Sequence, residues 1–179
     1  ITLLYHTIDN AKESCLHCNI VNLNRQKGVL SIEPNPGTAK NRNIFMDTYV
    51  MKKALFISLV KKAAAYSSMF SLLDIVNAAC TGQIEGMDLD VRGIPHKGFF
   101  APITDFRSYY DANMALINIK EAQNLFGEGW PIYTRTNNSC PTHYMDGADI
   151  RNSIVSNGCL IEGTVENSII GRGCVIKKG

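Results

Sequence analysis

Short alternating apolar runs, spaced by polar turns, occupy the first third of the chain. Ile1–Tyr5, Cys18–Leu23 and Val29–Ile32 read as β-strands, separated by polar stretches around Asp9-Asn10 and Asn24–Gly28. Glu33-Pro34-Asn35-Pro36-Gly37 reads as loop, and Ile44–Met51 as another buried strand. The period then lengthens. Over Lys52–Tyr66, Leu55, Phe56, Leu59 and Val60 fall on one side of a helix, with lysines around the rest. Ser67-Ser68 are placed to cap a second helix, Met69–Ala79. Strands are predicted at Ile84–Val91 and Phe99–Ile103, and a Thr104-capped helix at Asp105–Ile117, whose Tyr109, Ala112, Asn113 and Leu116 recur at core-packing spacing. A loop, Gly127–Asp146, follows.

Beyond it the chain repeats itself. The stretch Ser153–Thr164 returns fifteen residues later as Ser168–Gly179. In units of six it reads small (Ser153, Cys159, Ser168, Cys174), aliphatic, aliphatic (Val155, Ile161, Ile170, Ile176), usually closed by Gly. Flat coils of a parallel β-helix require this pattern, because one aliphatic residue fills the narrow prism and Gly or Asn takes the positive-φ corner. Such coils bury their core only by stacking, normally about three or more with a cap. The ladder stops uncapped at Gly179 and Ile1 has no initiator Met before it, so the chain is expected to be a fragment of a larger protein.

Composition narrows the picture further. At 179 residues the chain holds one ordinary core plus a small appendage. Eighteen Lys+Arg against sixteen Asp+Glu leave +2, scattered rather than clustered, which gives no nucleic-acid footprint. No apolar run approaches a membrane span. Six dispersed cysteines in a domain of this size suit a reducing cytoplasm. Cys15-Leu16-His17-Cys18 has metal-like spacing but lacks a second ligand pair, and two ordinary thiols on a turn is the simpler reading.

Three segments carry a family resemblance: Ala112-Asn113-Met114-Ala115-Leu116, then Trp130-Pro131-Ile132-Tyr133-Thr134, then the repeats led by Asp149-Ile150-Arg151-Asn152-Ser153. Together they resemble bacterial ADP-glucose pyrophosphorylase (glucose-1-phosphate adenylyltransferase) along essentially the whole chain. The resemblance implies an α/β fold: the C-terminal part of a Rossmann-like nucleotidyltransferase domain (residues 1–134), then a linker and the first coils of a left-handed parallel β-helix (135–179). The family's Gly-rich nucleotide loop would lie before Ile1.

At the family's functional positions the chain departs from the pattern. Where catalytic members read Gly-Tyr-Trp-Arg-Asp-Val-Gly-Thr, with a metal-binding Asp, this chain reads Gly98-Phe99-Phe100-Ala101-Pro102-Ile103-Thr104-Asp105. Pro102 offers no side-chain oxygen to Mg²⁺. Asp105, as first residue of a helix, supports its dipole instead. The family's Glu-Lys-Pro turn, whose Lys neutralises the sugar phosphate, is here Glu33-Pro34-Asn35-Pro36, so Pro34 or Asn35 replaces the cation. Its Ser-Met-Gly is Phe45-Met46-Asp47.

The substrate-pocket positions Glu33, Asn35, Phe45, Asp47 and Pro102 therefore read as degenerate, with no catalytic or metal-binding residue. The resemblance then implies a regulatory-type, non-catalytic subunit in glycogen biosynthesis, inactive alone. Its expected partners are a catalytic subunit of the same family, which would carry the Mg²⁺, or another copy of itself, with a sugar-phosphate effector as ligand. One alternative is an active nucleotidyltransferase recruiting Asp47, Asp88 or Asp90. A hexapeptide-repeat acyltransferase is a remoter one, because it needs a His on a solenoid loop and His143 precedes the first coil.

Overall fold

Alternation in the first fifty residues builds one mixed sheet in the computed structural model, which describes residues 1–66, 69–84, 89–127, 129, 131–133 and 135–178. The chain divides into two units, Ile1–Thr104 and Asp105–Gly179. In the first, β1 (Thr2–Ile8), β2 (Asn19–Leu23), β3 (Val29–Pro34), β4 (Arg42–Val50) and β5 (Arg92–Pro95) are ordered β3-β2-β4-β1-β5. Only β1 and β5 pair in parallel.

Period-two alternation decides which side chains are buried together. Leu3, Tyr5, Val21, Val29, Ile32 and Phe45 form a core with Val91 and with Val76 of helix α2 (Leu72–Cys80). Ile20 and Ile44, one residue out of phase with Val21 and Phe45, are cross-strand partners and equally buried. Helix α1 (Lys53–Ala63) adds Leu59 to a second cluster with Ile75, Ala78, Ala79 and Ile84. The sheet also curls. Val29 N donates to Val91 O and Gly93 N to Lys27 O, so the β2–β3 hairpin meets the strand at the opposite edge. The edge strand β3 is further tied by Ile32 N donating to Asn77 Oδ1 of α2 at 2.8 Å, which occupies an otherwise open backbone group.

The second unit holds α3 (Phe106–Ala115), α4 (Ile119–Leu125) and seven very short strands: β6 (His143–Tyr144), β7 (Asp149–Arg151), β8 (Ile154–Val155), β9 (Leu160–Ile161), β10 (Thr164–Glu166), β11 (Ile169–Ile170) and β12 (Val175–Ile176). Every ladder among them is parallel. The pairs Asp149↔Thr164, Ile154↔Ile169 and Leu160↔Val175 are fifteen residues apart, the repeat period of the sequence. The aliphatic repeat positions converge: Cys159, Ile161 and Val165 are buried, with Ile150, Val155, Ile170, Cys174 and Ile176 packed against them. Asn152 (φ 43°), Gly158 (φ 80°), Asn167 (φ 47°) and Gly173 (φ 68°) take the left-handed corners. The two asparagines stack, Asn152 Nδ2 donating to Asn167 Oδ1 at 2.6 Å.

Several local expectations are corrected. Glu33 and Pro34 end β3 rather than opening a loop; proline is tolerated there because β3 is an edge strand. Helix α2 starts at Leu72, because Ser71 and Asp74 form a capping box; the expected caps Ser67 and Ser68 lie outside the described residues. The strand expected over Ile84–Val91 falls partly outside the described residues (85–88); β5 starts at Arg92, and Phe99–Ile103 has no strand pairing. Asp105, not Thr104, caps α3, its carboxylate accepting from Ser108 N at 2.7 Å. No residue of α3 is fully buried: of the expected packing stripe, Ala112, Asn113 and Leu116 are half-buried and Tyr109 is exposed. His143 does not precede the short parallel strands: it sits in β6, paired with Leu160.

Candidate functional site

The five positions singled out by resemblance have different surroundings. Phe45 is 6% exposed, an integral core residue whose ring meets Tyr49 edge-on at 5.1 Å. Asp47 is exposed and left-handed (φ 52°), at the point where β4 bulges and its pairing jumps from Tyr49 to Phe45. Glu33 is exposed on β3, where its carboxylate accepts from Asn22 Nδ2 at 2.7 Å. Pro102 is half-buried in irregular chain after β5.

Asn35 is the most informative of them. It is 6% exposed, and its amide is consumed by backbone: Nδ2 donates to Ala11 O (3.0 Å), Cys15 O (3.0 Å) and, more weakly, Ser14 O (3.5 Å), while Oδ1 accepts from Gly37 N (3.1 Å). Its own N–H donates to Cys18 O at 2.9 Å. This residue clamps the loop before β2 to the turn after β3, and its polar atoms are directed inward. A buried amide with every strong donor and acceptor occupied has nothing left for a substrate phosphate.

The clamped loop contains the Cys15–Cys18 turn. Cys15 is left-handed (φ 56°) and Cys18 N donates back to Cys15 O at 3.1 Å. Burial, reinforced by the neighbouring Cys15 thiol, pushes the Cys18 thiol up to about 11, which disfavours the thiolate that a metal or nucleophile role needs. No group of three or more His, Cys, Asp or Glu among the described residues is arranged to hold a metal ion. Of the alternative carboxylates, Asp90 is paired with Arg92 at 2.9 Å, Asp47 sits exposed on its bulge, and Asp88 lies outside the described residues.

A second cluster is one that no spacing along the chain suggested. His6 of β1 stacks on Phe100 at 4.8 Å, and its Nδ1 lies 3.5 Å from Nδ1 of His96. Burial first, then the charge on His96, holds the His6 pKa below its ordinary 6.5. On acidification the unfolded chain therefore takes up this proton before the folded one does. The stabilising contribution is whole above about pH 6.5 and is lost as the pH falls through the lowered folded value. Urea midpoints measured at about pH 7.5 and pH 5.5 should show the loss, and His6→Gln should flatten that difference; an unchanged difference in the variant would assign the effect elsewhere.

Comparison with known proteins finds curated glucose-1-phosphate adenylyltransferases and a glycogen biosynthesis protein among the matches. The glucose-1-phosphate adenylyltransferase of Streptomyces avermitilis is 32% identical over 128 residues, 67% of this chain and 32% of that protein. The Bacillus licheniformis enzyme of the same name is 30% identical over 149 residues, 82% of this chain and 38% of that protein. Glycogen biosynthesis protein GlgD of Bacillus subtilis is 36% identical over 95 residues, 53% of this chain and 28% of that protein. No family profile matches the chain. The likeness to glucose-1-phosphate adenylyltransferases is thus shown across most of the sequence. The chain spans about a third of the length of these curated relatives. No helix among the described residues is long and apolar enough to cross a membrane.

Proposed function

We propose that this chain supplies part of a non-catalytic, regulatory-type subunit of the glucose-1-phosphate adenylyltransferase system, acting in the cytoplasm in glycogen synthesis. The observation that carries the reading is the inward-facing Asn35 amide. By resemblance, this segment holds the cation that neutralises the sugar phosphate. Here the segment offers Pro34, bound into the end of β3, and Asn35, which serves as a structural clamp. Pro102 at the metal-binding position and Phe45 in the core point the same way. Within this reading, residues 135–179 form the opening coils of a left-handed β-helix, a proposal supported by the fifteen-residue parallel pairings. The Mg²⁺ and the reacting phosphates are then held by a catalytic partner of the same family.

The test is turnover with and without that partner. The full-length protein carrying this chain, purified alone with ATP, glucose 1-phosphate and Mg²⁺, is expected to release no pyrophosphate above background, and Pro102→Asp alone to restore none. Mixed with a catalytic glucose-1-phosphate adenylyltransferase of the same source, it should co-elute and change that enzyme's kcat or KM. Turnover by the protein alone, surviving rigorous removal of contaminating enzyme, would refute the non-catalytic reading.

A further inference from the structure

The Cys15–Cys18 turn is fixed from outside as well as from within. Cys18 N donates to Cys15 O at 3.1 Å, which closes the turn. Asn35 holds both of its ends: Nδ2 donates to Cys15 O at 3.0 Å, and the backbone N–H donates to Cys18 O at 2.9 Å. A turn closed in this way keeps its first and last Cα within about 7 Å, the span that a disulfide bridges. The side chains follow the backbone, and the two thiols share a side-chain hydrogen bond. Both are free thiols and half-buried, while Leu16 and His17 between them are exposed, so the pair lies within reach of a small reagent from solvent.

The two cysteines are not equivalent. Burial pushes the Cys18 thiol up to about 11, so little of it is thiolate near neutral pH and a first attack on an outside disulfide falls to Cys15. Cys18 needs only to reach the neighbouring Cys15 sulfur. That second step is intramolecular, and in a turn already ordered by Asn35 its high effective concentration offsets the small thiolate fraction. Written with a small disulfide RSSR, the Cys15 thiolate attacks one sulfur, forms Cys15–S–SR and expels RS⁻. Cys18, as it loses its proton, attacks Cys15 Sγ and expels the second RS⁻. In sum, the protein dithiol and RSSR give the protein disulfide and two RSH. Two electrons pass to the small disulfide, and the two thiol protons end on the released thiols.

We propose that Cys15 and Cys18 form a dithiol site that exchanges with low-molecular-weight disulfides, closing to a disulfide within the turn and opening again in excess thiol. The site does not depend on the non-catalytic reading, and each stands if the other fails. The 179-residue chain is incubated with glutathione disulfide, quenched with iodoacetamide, digested with trypsin and read by mass spectrometry. Cleavage after Lys12 and Arg25 places Cys15 and Cys18, and no other cysteine, in one peptide. That peptide should be lighter by two hydrogen atoms, carry neither glutathione nor alkylation, and return to the dithiol form when dithiothreitol is added before quenching. The exposed Cys140 should meanwhile gain glutathione, which shows that the reagent acts. Cys18→Ser should trap the intermediate, with glutathione on Cys15, whereas in Cys15→Ser the adduct on Cys18 should form about tenfold more slowly or less. A peptide left as the dithiol while Cys140 reacts, or one carrying glutathione in place of the internal bond, would overturn the proposal. Equal adduct rates in the two variants would overturn the order of attack.

Discussion

Asn35→Lys is expected to unfold the first unit far more readily instead of rebuilding a sugar-phosphate site. Introducing the cation removes the donors to Ala11 O and Cys15 O and the acceptor for Gly37 N. It also forces a long charged chain into a position that is 6% exposed. Each buried backbone group left without a partner costs about 1–3 kcal/mol, so the total should reach about 3 kcal/mol or more. For a unit of this size that lowers the thermal midpoint by about 10 °C or more. Asn35→Asp should be similarly harmful, because a carboxylate cannot donate to carbonyls. Calorimetric melting of both variants against the parent chain measures this. If Asn35→Lys proved as stable as the parent, the clamp would contribute nothing and the side chain at this position would be free to face solvent.

Gly163→Ala should disrupt the second unit to a comparable degree. A methyl group added at Gly163 would stand 2.6 Å from Lys177 O and 3.3 Å from Lys177 C, both backbone atoms of the stretch stacked upon it. The clash cannot be relieved by rotating a side chain. The stacked backbone must move, and with it the hydrogen bond from Glu162 N to Ile176 O. Overpacking of this kind typically costs about 1–3 kcal/mol, and the displaced backbone pairing adds to it. Gly171→Ala provides the control, since nothing lies within 4 Å of the added atom. Amide hydrogen exchange across residues 160–177 should accelerate in the first variant and not in the second. Equal protection in the two would show that the stacking at Gly163 is looser than its geometry.

Much of the fold was legible because local chemistry and tertiary context agree there. Four of the five sheet strands lie where apolar alternation placed them, to within a few residues at each end. The fifteen-residue repeat named its own pairing partners, since stacking equivalent positions is the only way such short apolar pairs bury themselves. Failures came where a long-range partner decided the matter. Phe99–Ile103 has strand composition yet finds no pairing strand, whereas Arg92–Pro95 becomes β5 because Arg92 pairs with Thr2 in register. Tyr109 has core spacing with Ala112, Asn113 and Leu116, yet it is exposed while they are half-buried. The cap of α2 passed to Ser71 because Asp74 stood three residues on to complete the box.

The candidate site divides the same way. Residue identity alone established that Pro102 cannot bind a metal ion and that neither Pro34 nor Asn35 carries charge, because those are properties of the side chain wherever it sits. Tertiary structure alone decided what Asn35 does instead, since its three strongest side-chain partners come from two separate loops. The pairing of His6 with His96 spans 90 residues, and the unpartnered Nε of Arg42 is evident only once the chain is folded. Periodicity encodes which face is buried, a local property repeated at every turn or pleat. Which polar atoms are satisfied, and which remain open to a ligand, depends on groups brought together by folding, and no spacing along the chain records that.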